Sequence, residues 1–117
     1  MDTRRRGELG ETIAAAFLAI KGYEIIDKNY RYARREVDLV ARAGGDIVAV
    51  EVKLRWGNRF GGSAEAVDAK KLARLRTALT GMIKDSGWRL SPRIDVVAID
   101  VDDAGERMVV EHIVGAS

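Results

Sequence analysis

The spacing of apolar side chains along the chain predicts two helices. In the first, over about residues 8–21, every residue from 13 to 20 is apolar, so we expect this helix to be largely buried. Gly22 stands where this helix would end. The second predicted helix covers about residues 65–85. The expected core positions are Ile13, Ala16, Phe17 and Ile20 in the first helix, and Leu72, Leu75, Leu79 and Met82 in the second.

Five other stretches are strand-like: residues 23–32, 36–43, 46–54, 93–101 and 107–114. Gly44 and Gly45 predict a tight turn between the second and third of these stretches. The order is therefore one helix, three strands, a second helix and two more strands. That order predicts an α/β sandwich with a mixed central sheet flanked by two helices. With 117 residues, the chain is long enough for one domain and too short for two, so we assign residues 1–117 to a single domain.

Charged residues interrupt the two strands that flank the predicted turn. If Ala43 faces Asp46 across that turn, Asp38 lies opposite Glu51, and Glu36 lies opposite Lys53. All four side chains would then project from one face of the sheet. Two directly opposed carboxylates destabilise a buried sheet unless a cation or a proton lies between them. An internal ion pair between Glu51 and Lys53 at a sheet edge explains the same spacing equally well.

Paired carboxylates next to a lysine suit phosphodiester hydrolysis. Oxygen ligands favour a hard divalent ion such as Mg²⁺ or Mn²⁺, which we expect Asp38 and Glu51 to bind. Such an ion could bind a phosphate oxygen and lower the pKa of an attacking water. Lys53 could orient that water or stabilise the charge of the transition state.

The composition is that of a soluble globular protein, with 47% hydrophobic and 32% charged residues. No apolar run is long enough to span a membrane, and the N-terminal sequence lacks the apolar region of a signal peptide. Cysteine is absent, which fits a reducing compartment. We therefore expect a cytoplasmic protein. Residues 66–94 have a local charge of +5, and residues 95–117 have a local charge of −5. The basic segment suggests a face for polyanions, although a solvated charged surface is the commoner explanation.

Several motifs together resemble a known family. The spacing D38-x12-E51-x-K53 resembles the PD-(D/E)xK motif of the restriction-endonuclease-like superfamily, whose core order is αβββαβ. The resemblance to the YraN family of that superfamily, related to Holliday-junction resolvases, extends over nearly the whole chain. It includes GELGE at 7–11, GYEIIDKNYR at 22–31, EVDLVA at 36–41, VEVKLR at 50–55, EAVDAKKLARL at 65–75 and RIDVVAID at 93–100.

This resemblance implies roles for particular residues. Asp38, Glu51 and Lys53 match the catalytic triad, with Asp38 and Glu51 as metal ligands for Mg²⁺ or Mn²⁺. Glu11 matches a helical glutamate that resolvase-like members place near the metal, although a first-turn carboxylate favoured by the helix dipole is an alternative explanation. Glu36 matches a typical family glutamate. Lys71 falls where the family usually has a helical lysine, and an ordinary solvated surface residue is an equal alternative.

The expected partner is DNA, bound through its phosphates without a base-reading module. The candidate contacts are Arg55, Arg59, Lys70, Lys71 and Arg74, with Arg4, Arg5 and Arg6 near the N-terminus. Trp56 and Phe60 could stack on unpaired bases, or they could fix a glycine-rich loop to the core. His112, the only histidine, is interpreted as a strand residue rather than a ligand.

The resemblance thus implies a metal-dependent endonuclease acting on DNA, for which branched or damaged DNA is one candidate substrate. A non-catalytic DNA-binding module that retains the nuclease fold is the first alternative. A scaffold protein in which the charged residues form an ion-pair network is the second. A homodimer is suggested by analogy only, because a resolvase needs two active sites to cut two strands.

Overall fold

The computed structural model describes residues 2–32, 34–57 and 68–116, which form a mixed sheet with one helix on each face. The elements, in chain order, are α1 (Thr3–Ile20), β1 (Glu24–Tyr32), β2 (Arg35–Ala43), β3 (Asp46–Trp56), α2 (Ala69–Ser86), β4 (Ser91–Val101) and β5 (Met108–Ile113). Within these described residues the strands lie in the order β1-β2-β3-β4-β5. Strands β3 and β4 pair in parallel, and the other neighbouring strands pair antiparallel. The predicted fold class is confirmed, because this is an α/β fold compatible with a restriction-endonuclease-like αβββαβ core.

The two helices cover opposite faces of the sheet. The parallel strands β3 and β4 need a crossover connection. Helix α2 lies within that crossover and packs on a cluster that includes Val40, Ala49, Ile94 and Val96. Helix α1 packs on the other face, where Leu39, Val48, Val50 and Val97 belong to the core. Neither helix in the described part of the chain is long and apolar enough to cross a bilayer.

The predicted core stripe of α1 is wrong in phase. Gly10, Ala14, Ala15 and Leu18 are the buried positions, whereas Ala16 is exposed and Ile20 is 86% exposed. Ile13 and Phe17 are only partly buried against the core. An unbroken apolar run does not indicate which side of a helix faces the sheet. Small residues decide it here, because a Cβ atom built at Gly10 would lie 3.3 Å from Leu54 Cβ, so the helix approaches β3 closely.

Both helices begin at residues other than those predicted, and in each case an aspartate caps the first turn. Asp2 accepts a hydrogen bond from the backbone N–H of Arg5 (2.9 Å), so α1 starts at Thr3 rather than near residue 8. Asp68 accepts one from the backbone N–H of Lys71 (2.7 Å), so α2 starts at Ala69 rather than near residue 65. The predicted core residues of α2, Leu72, Leu75, Leu79 and Met82, are all buried as expected.

The predicted hairpin register between β2 and β3 is confirmed near the turn. Ala43 pairs with Asp46, and the pairing continues to Leu39 and Val50. Gly44 adopts the left-handed conformation (φ 59°), which favours glycine at this position of a tight turn. The register places Asp38 and Glu51 just beyond the last backbone pair.

A buried polar network joins β4 to the turn between α1 and β1, to β5 and to the C-terminal segment. Asp95 is fully buried. It accepts hydrogen bonds from Tyr23 Oη (2.9 Å), Arg93 Nε (2.9 Å) and the backbone N–H of Gly115 (3.0 Å), and it lies 2.8 Å from His112 Nε2. Burial raises the pKa of Asp95, but the hydrogen bonds, led by Arg93, outweigh it and lower the pKa overall. His112 is thus a strand residue that binds a buried carboxylate.

Candidate metal centre and nucleic-acid interface

The carboxylates of Asp38 and Glu51 meet where β2 turns away from β3. Backbone pairing between β2 and β3 ends at Leu39 and Val50. Further along β3, the backbone N–H of Val52 donates a hydrogen bond to Asp38 Oδ2 (2.9 Å). Val37 belongs to the core cluster under α2, whereas Leu39 belongs to the cluster under α1, so strict alternation along β2 is interrupted at Asp38. This interruption allows the Asp38 side chain to replace a backbone acceptor and lie against Glu51.

The electrostatics of the pair show that two charged carboxylates are costly here. Glu51 is only 3% exposed. Burial, followed by the charge of Asp38, raises its pKa to about 7. Burial also raises the pKa of Asp38, although the hydrogen bond from Val52 opposes that shift. Each carboxylate shifts the pKa of the other, so a proton or a cation between them would relieve the cost of two negative charges.

The cation that contacts this pair is Lys71 of α2, for which an ordinary surface role was an equal alternative. Its Nζ lies 2.7 Å from Glu51 Oε1. Burial lowers the pKa of Lys71, but the hydrogen bond and the charge of Glu51 outweigh this effect and raise it overall. One signal for this position is its helical spacing, because Lys71 precedes the buried Leu72 and lies one helical turn before the buried Leu75. That spacing brings the base of its side chain close to the sheet.

Lys53 lies beside the pair without contacting it. It is half-buried on β3, and within the described residues it forms neither a hydrogen bond nor an ion pair. The predicted pairing of Glu36 with Lys53 is not formed, because pairing between β2 and β3 stops before these positions. Glu36 instead lies opposite Arg31 of β1 and forms an ion pair with it, in which Arg31 Nη2 lies 3.6 Å from Glu36 Oε2. The alternative of a Glu51–Lys53 ion pair is also not formed, since the partner of Glu51 is Lys71.

Glu11 approaches the same pair from α1. Burial raises its pKa, and the charge of Asp38 is the next cause of the shift. A side-chain hydrogen bond with Asn29 opposes the shift. Because α1 begins at Thr3, Glu11 lies beyond the first two turns, and the alternative of a first-turn carboxylate is wrong. Asn29, in the left-handed conformation (φ 53°), was not singled out by sequence reasoning.

The carboxylate oxygens of Asp38 and Glu51 fit a Mg²⁺ or Mn²⁺ ion better than an ion whose ligands must all come from the protein. No three His, Cys, Asp or Glu side chains within residues 2–32, 34–57 and 68–116 are grouped closely enough to hold a metal by themselves. Mg²⁺ commonly binds through one or two carboxylates and keeps waters or substrate phosphates as its other ligands. Asp38 and Glu51 supply such a pair, and the contact of Lys71 shows that a cation is already favoured there.

A basic groove lies next to the Lys71–Glu51 contact. Its volume is about 330 Å³. Four cations line it, together with two carboxylates and Leu75: Arg34, Arg35, Lys71 and Arg74, with Glu36 and Asp68. Exposed guanidinium and ammonium groups at this density suit a phosphate backbone.

The predicted DNA contacts divide into three groups. Lys71 and Arg74 line the basic groove. The half-buried Arg55 does not, and neither do the exposed Lys70, Arg4, Arg5 and Arg6. Arg59 and Phe60 lie outside the described residues. Arg34 and Arg35 also line the groove but were not among the predicted contacts; Arg34 lies in the turn before β2, and Arg35 is the first residue of β2. Trp56, one of the two aromatic candidates, lies against Gly105 in the turn between β4 and β5.

The fold and the site define an α/β domain with a buried carboxylate pair beside a basic groove. The chain belongs to the family described as "Uncharacterised protein family UPF0102", whose model matches residues 10–99. It is 43% identical over 117 residues to a UPF0102 protein of Moorella thermoacetica, covering 99% of this chain and 98% of the relative. It is 41% identical over 115 residues to a UPF0102 protein of Roseiflexus castenholzii, covering 93% and 90%. The matched segment contains Glu11, Asp38, Glu51, Lys53 and Lys71.

Proposed function

We propose that this protein is a metal-dependent endonuclease that hydrolyses DNA phosphodiester bonds. The observation that supports it most is the Asp38–Glu51 pair, in which both pKa values are raised and a cation is needed for both groups to be ionised. The basic groove next to this pair supports a polyanionic substrate. The αβββαβ order and the D-x12-E-x-K spacing further support membership of the restriction-endonuclease-like superfamily and its YraN family.

In this proposal Asp38 and Glu51 hold Mg²⁺ or Mn²⁺. When bound, the ion supplies Lewis acidity toward a phosphate oxygen and lowers the pKa of a bound water. The charge of Asp38 contributes to the raised pKa of Glu11, so Glu11 adds a further carboxylate to the electrostatic environment of the metal site. Lys53 follows Glu51 by two residues on β3, and its ammonium orients a water or stabilises transition-state charge. The basic groove binds the phosphates that flank the reacting one.

A second candidate function is a DNA-binding module that does not cut. It is favoured by the 2.7 Å contact between Lys71 and Glu51, which neutralises the more deeply buried carboxylate without a metal. If that contact persists when DNA and divalent ions are present, Glu51 cannot act as a metal ligand through that oxygen. The groove would then bind phosphates next to an inactive site.

A cleavage panel separates these two functions. Single-stranded, duplex, flap and four-way-junction DNA are incubated with wild type, Asp38→Asn, Lys53→Ala and the control Glu111→Gln, each with Mg²⁺, Mn²⁺ or EDTA. We expect cleavage by wild type and the control in Mg²⁺ or Mn²⁺ only, and a loss of about 10²-fold or more in Lys53→Ala, as for one lost transition-state contact. Asp38→Asn, purified in parallel, excludes a contaminating nuclease. DNA binding without cleavage in any metal would contradict the nuclease proposal and support the second function.

Branched substrates add a requirement for two active sites. Resolving a four-way junction takes two cuts, so we propose that two copies of the chain act on such a substrate as a symmetric dimer. Sedimentation of the protein with and without junction DNA tests this point. A complex of one chain per junction that still cuts both strands would contradict it.

A further inference from the structure

An aromatic cavity lies at the other end of α2 from the basic groove, between that helix and the edge strand β1. Its volume is about 380 Å³, and most of its lining is apolar. Tyr30, Tyr32 and Trp88 contribute aromatic rings, and the buried Val40 and Met82 contribute aliphatic surface. Trp88 remains 37% exposed, so its ring is accessible to a ligand. We call this site the aromatic cavity.

Two carboxylates line the aromatic cavity, and neither is neutralised by a cation. Asp85 accepts a hydrogen bond from the hydroxyl of Tyr32, and Asp27 accepts one from the backbone N–H of Lys28 (2.8 Å). Neither carboxylate forms an ion pair with any residue in the ranges that the structure describes, although the chain has 20 Lys and Arg residues. Asp27 and Asp85 therefore bring negative charge to an otherwise apolar cavity.

Aromatic faces and carboxylates favour the same class of ligand. The negative face of an aromatic ring attracts a cation, and a carboxylate adds a charge-assisted hydrogen bond. A guanidinium group suits both, because it is planar, stacks on rings and donates two parallel hydrogen bonds to one carboxylate. The same carboxylates disfavour a phosphate. We propose that the aromatic cavity binds a guanidinium group on an aliphatic stem, with Trp88, Tyr30 or Tyr32 against its face and Asp85 or Asp27 accepting its hydrogen bonds.

Gly81 permits the aromatic wall of the cavity to form. A Cβ atom built at Gly81 would lie 2.7 Å from Cε1 of Tyr32, so the ring of Tyr32 packs directly on the helix backbone there. A glycine inside a helix is less favourable than an alanine, because it loses more backbone freedom on folding. Gly81→Ala therefore forces the Tyr32 ring to move while favouring the helix itself, which gives a variant that alters the cavity.

The aromatic cavity is separate from the metal site. Asp85 follows Lys71 by fourteen residues in α2, a distance of roughly 21 Å along the helix axis. An adjoining groove shares Ile26 and Trp88 with the cavity and contains Glu24, Arg42 and Arg89. Within the described residues, the lining of the cavity itself includes Asp27 and Asp85 but no lysine or arginine. The inference does not rest on nuclease activity, and its test requires neither DNA nor a metal.

The test compares acetyl-arginine amide with acetyl-citrulline amide, which has nearly the same shape but no charge. Binding is followed by chemical-shift changes of the Trp88 indole and the β1 amides in ¹⁵N-labelled protein. We expect the arginine compound to bind about tenfold or more tightly than the citrulline compound, as for a hydrogen bond between charged groups. Asp85→Asn should weaken arginine binding about tenfold, and Trp88→Leu and Gly81→Ala should weaken it about threefold or more. Asp103→Asn, an exposed acid in the β4–β5 turn, is the matched control.

Two further ligands identify the source of the cation and the main rival. Butylguanidine, which lacks the peptide groups, should bind as tightly as acetyl-arginine amide if the natural ligand is a small molecule, and more weakly if it is an arginine of a protein. Equal binding of the citrulline compound, or no shift at about 20 mM arginine compound, would overturn the proposal. Tighter binding of cytidine, unaffected by Asp85→Asn, would also overturn it and indicate a surface that stacks nucleobases. The dispersed spectrum of each variant verifies that it is folded.

Discussion

Replacing Glu51 by glutamine should stabilise the metal-free protein at alkaline pH. Burial and the charge of Asp38 raise the pKa of Glu51 to about 7, from 4.5 for an ordinary glutamate. The folded protein therefore holds a proton between these pH values that the unfolded chain releases. The resulting stability is fully present below pH 4.5 and is lost as the pH rises to about 7. At pH 8 the loss is about 3 kcal/mol, and Glu51→Gln should recover most of it because glutamine imitates the protonated acid.

Urea unfolding in EDTA across pH 4.5 to 8.5 measures this difference. We expect wild type and Glu51→Gln to have similar free energies of unfolding near pH 4.5, and the variant to be more stable by about 3 kcal/mol at pH 8, equivalent to roughly 10 °C in Tm. Glu111→Gln, an exposed carboxylate on β5, is the matched control and should change little at either pH. The same experiment with Mn²⁺ should stabilise wild type at pH 8 and leave Glu51→Gln unchanged.

The opposite sign would refute this reasoning. If Lys71 and Glu51 were a stabilising ion pair, the glutamine variant would be less stable than wild type at pH 8, because a buried ammonium would lose its partner. That outcome would favour the scaffold alternative, in which the charged residues form an ion-pair network.

Two other predictions concern the basic groove and the buried polar network. A triple variant that replaces Arg35, Lys71 and Arg74 by alanine should flatten the salt dependence of binding to duplex DNA. Each lost phosphate contact should reduce the slope of log K against log salt by about 0.9, so the expected change is about two to three. Lys84→Ala, at the far end of α2, should leave the slope unchanged. Fluorescence anisotropy of labelled DNA in Ca²⁺ measures these slopes. Identical slopes for wild type and the triple variant would show that the groove does not bind phosphates. Asp95→Ala should lower the free energy of unfolding by about 3–5 kcal/mol, because buried donors lose their acceptor. Asp95→Asn, which keeps the side-chain volume, should lower the free energy of unfolding less than Asp95→Ala does, as measured by denaturant titration. An Asp95→Ala variant as stable as wild type would contradict a stabilising role for the network.

The periodic part of the structure could be predicted from the sequence. The order of helices and strands along the chain follows from periodic runs and glycine turns, and one assumed turn at Gly44–Gly45 was enough to bring Asp38 next to Glu51. Strand alternation has a period of two, so a single fixed pair determines which side chains share a face. The same rule failed beyond Leu39, because β2 leaves β3 and Glu36 pairs with Arg31 instead.

The remaining features depend on tertiary contacts that no local pattern indicates. The uniformly apolar run of α1 does not reveal its phase, and the close approach at Gly10 determines it. Lys71 joins Glu51 only because the crossover places α2 over the end of β3. The aromatic cavity combines residues from β1 with Trp88, which follows α2, so it could not be predicted from the spacing of residues within any one element.

Calorimetric titration with Mn²⁺ at pH 8 tests most directly whether Asp38 and Glu51 form one divalent-metal site. We predict specific binding by wild type, its loss in Asp38→Ala and in Glu51→Ala, and tighter binding by Lys71→Ala, because that variant lacks the ammonium that competes for Glu51. Glu111→Gln should bind as wild type does. Unchanged affinity in both the Asp38 and the Glu51 variants, or no specific binding by wild type, would contradict the shared metal site.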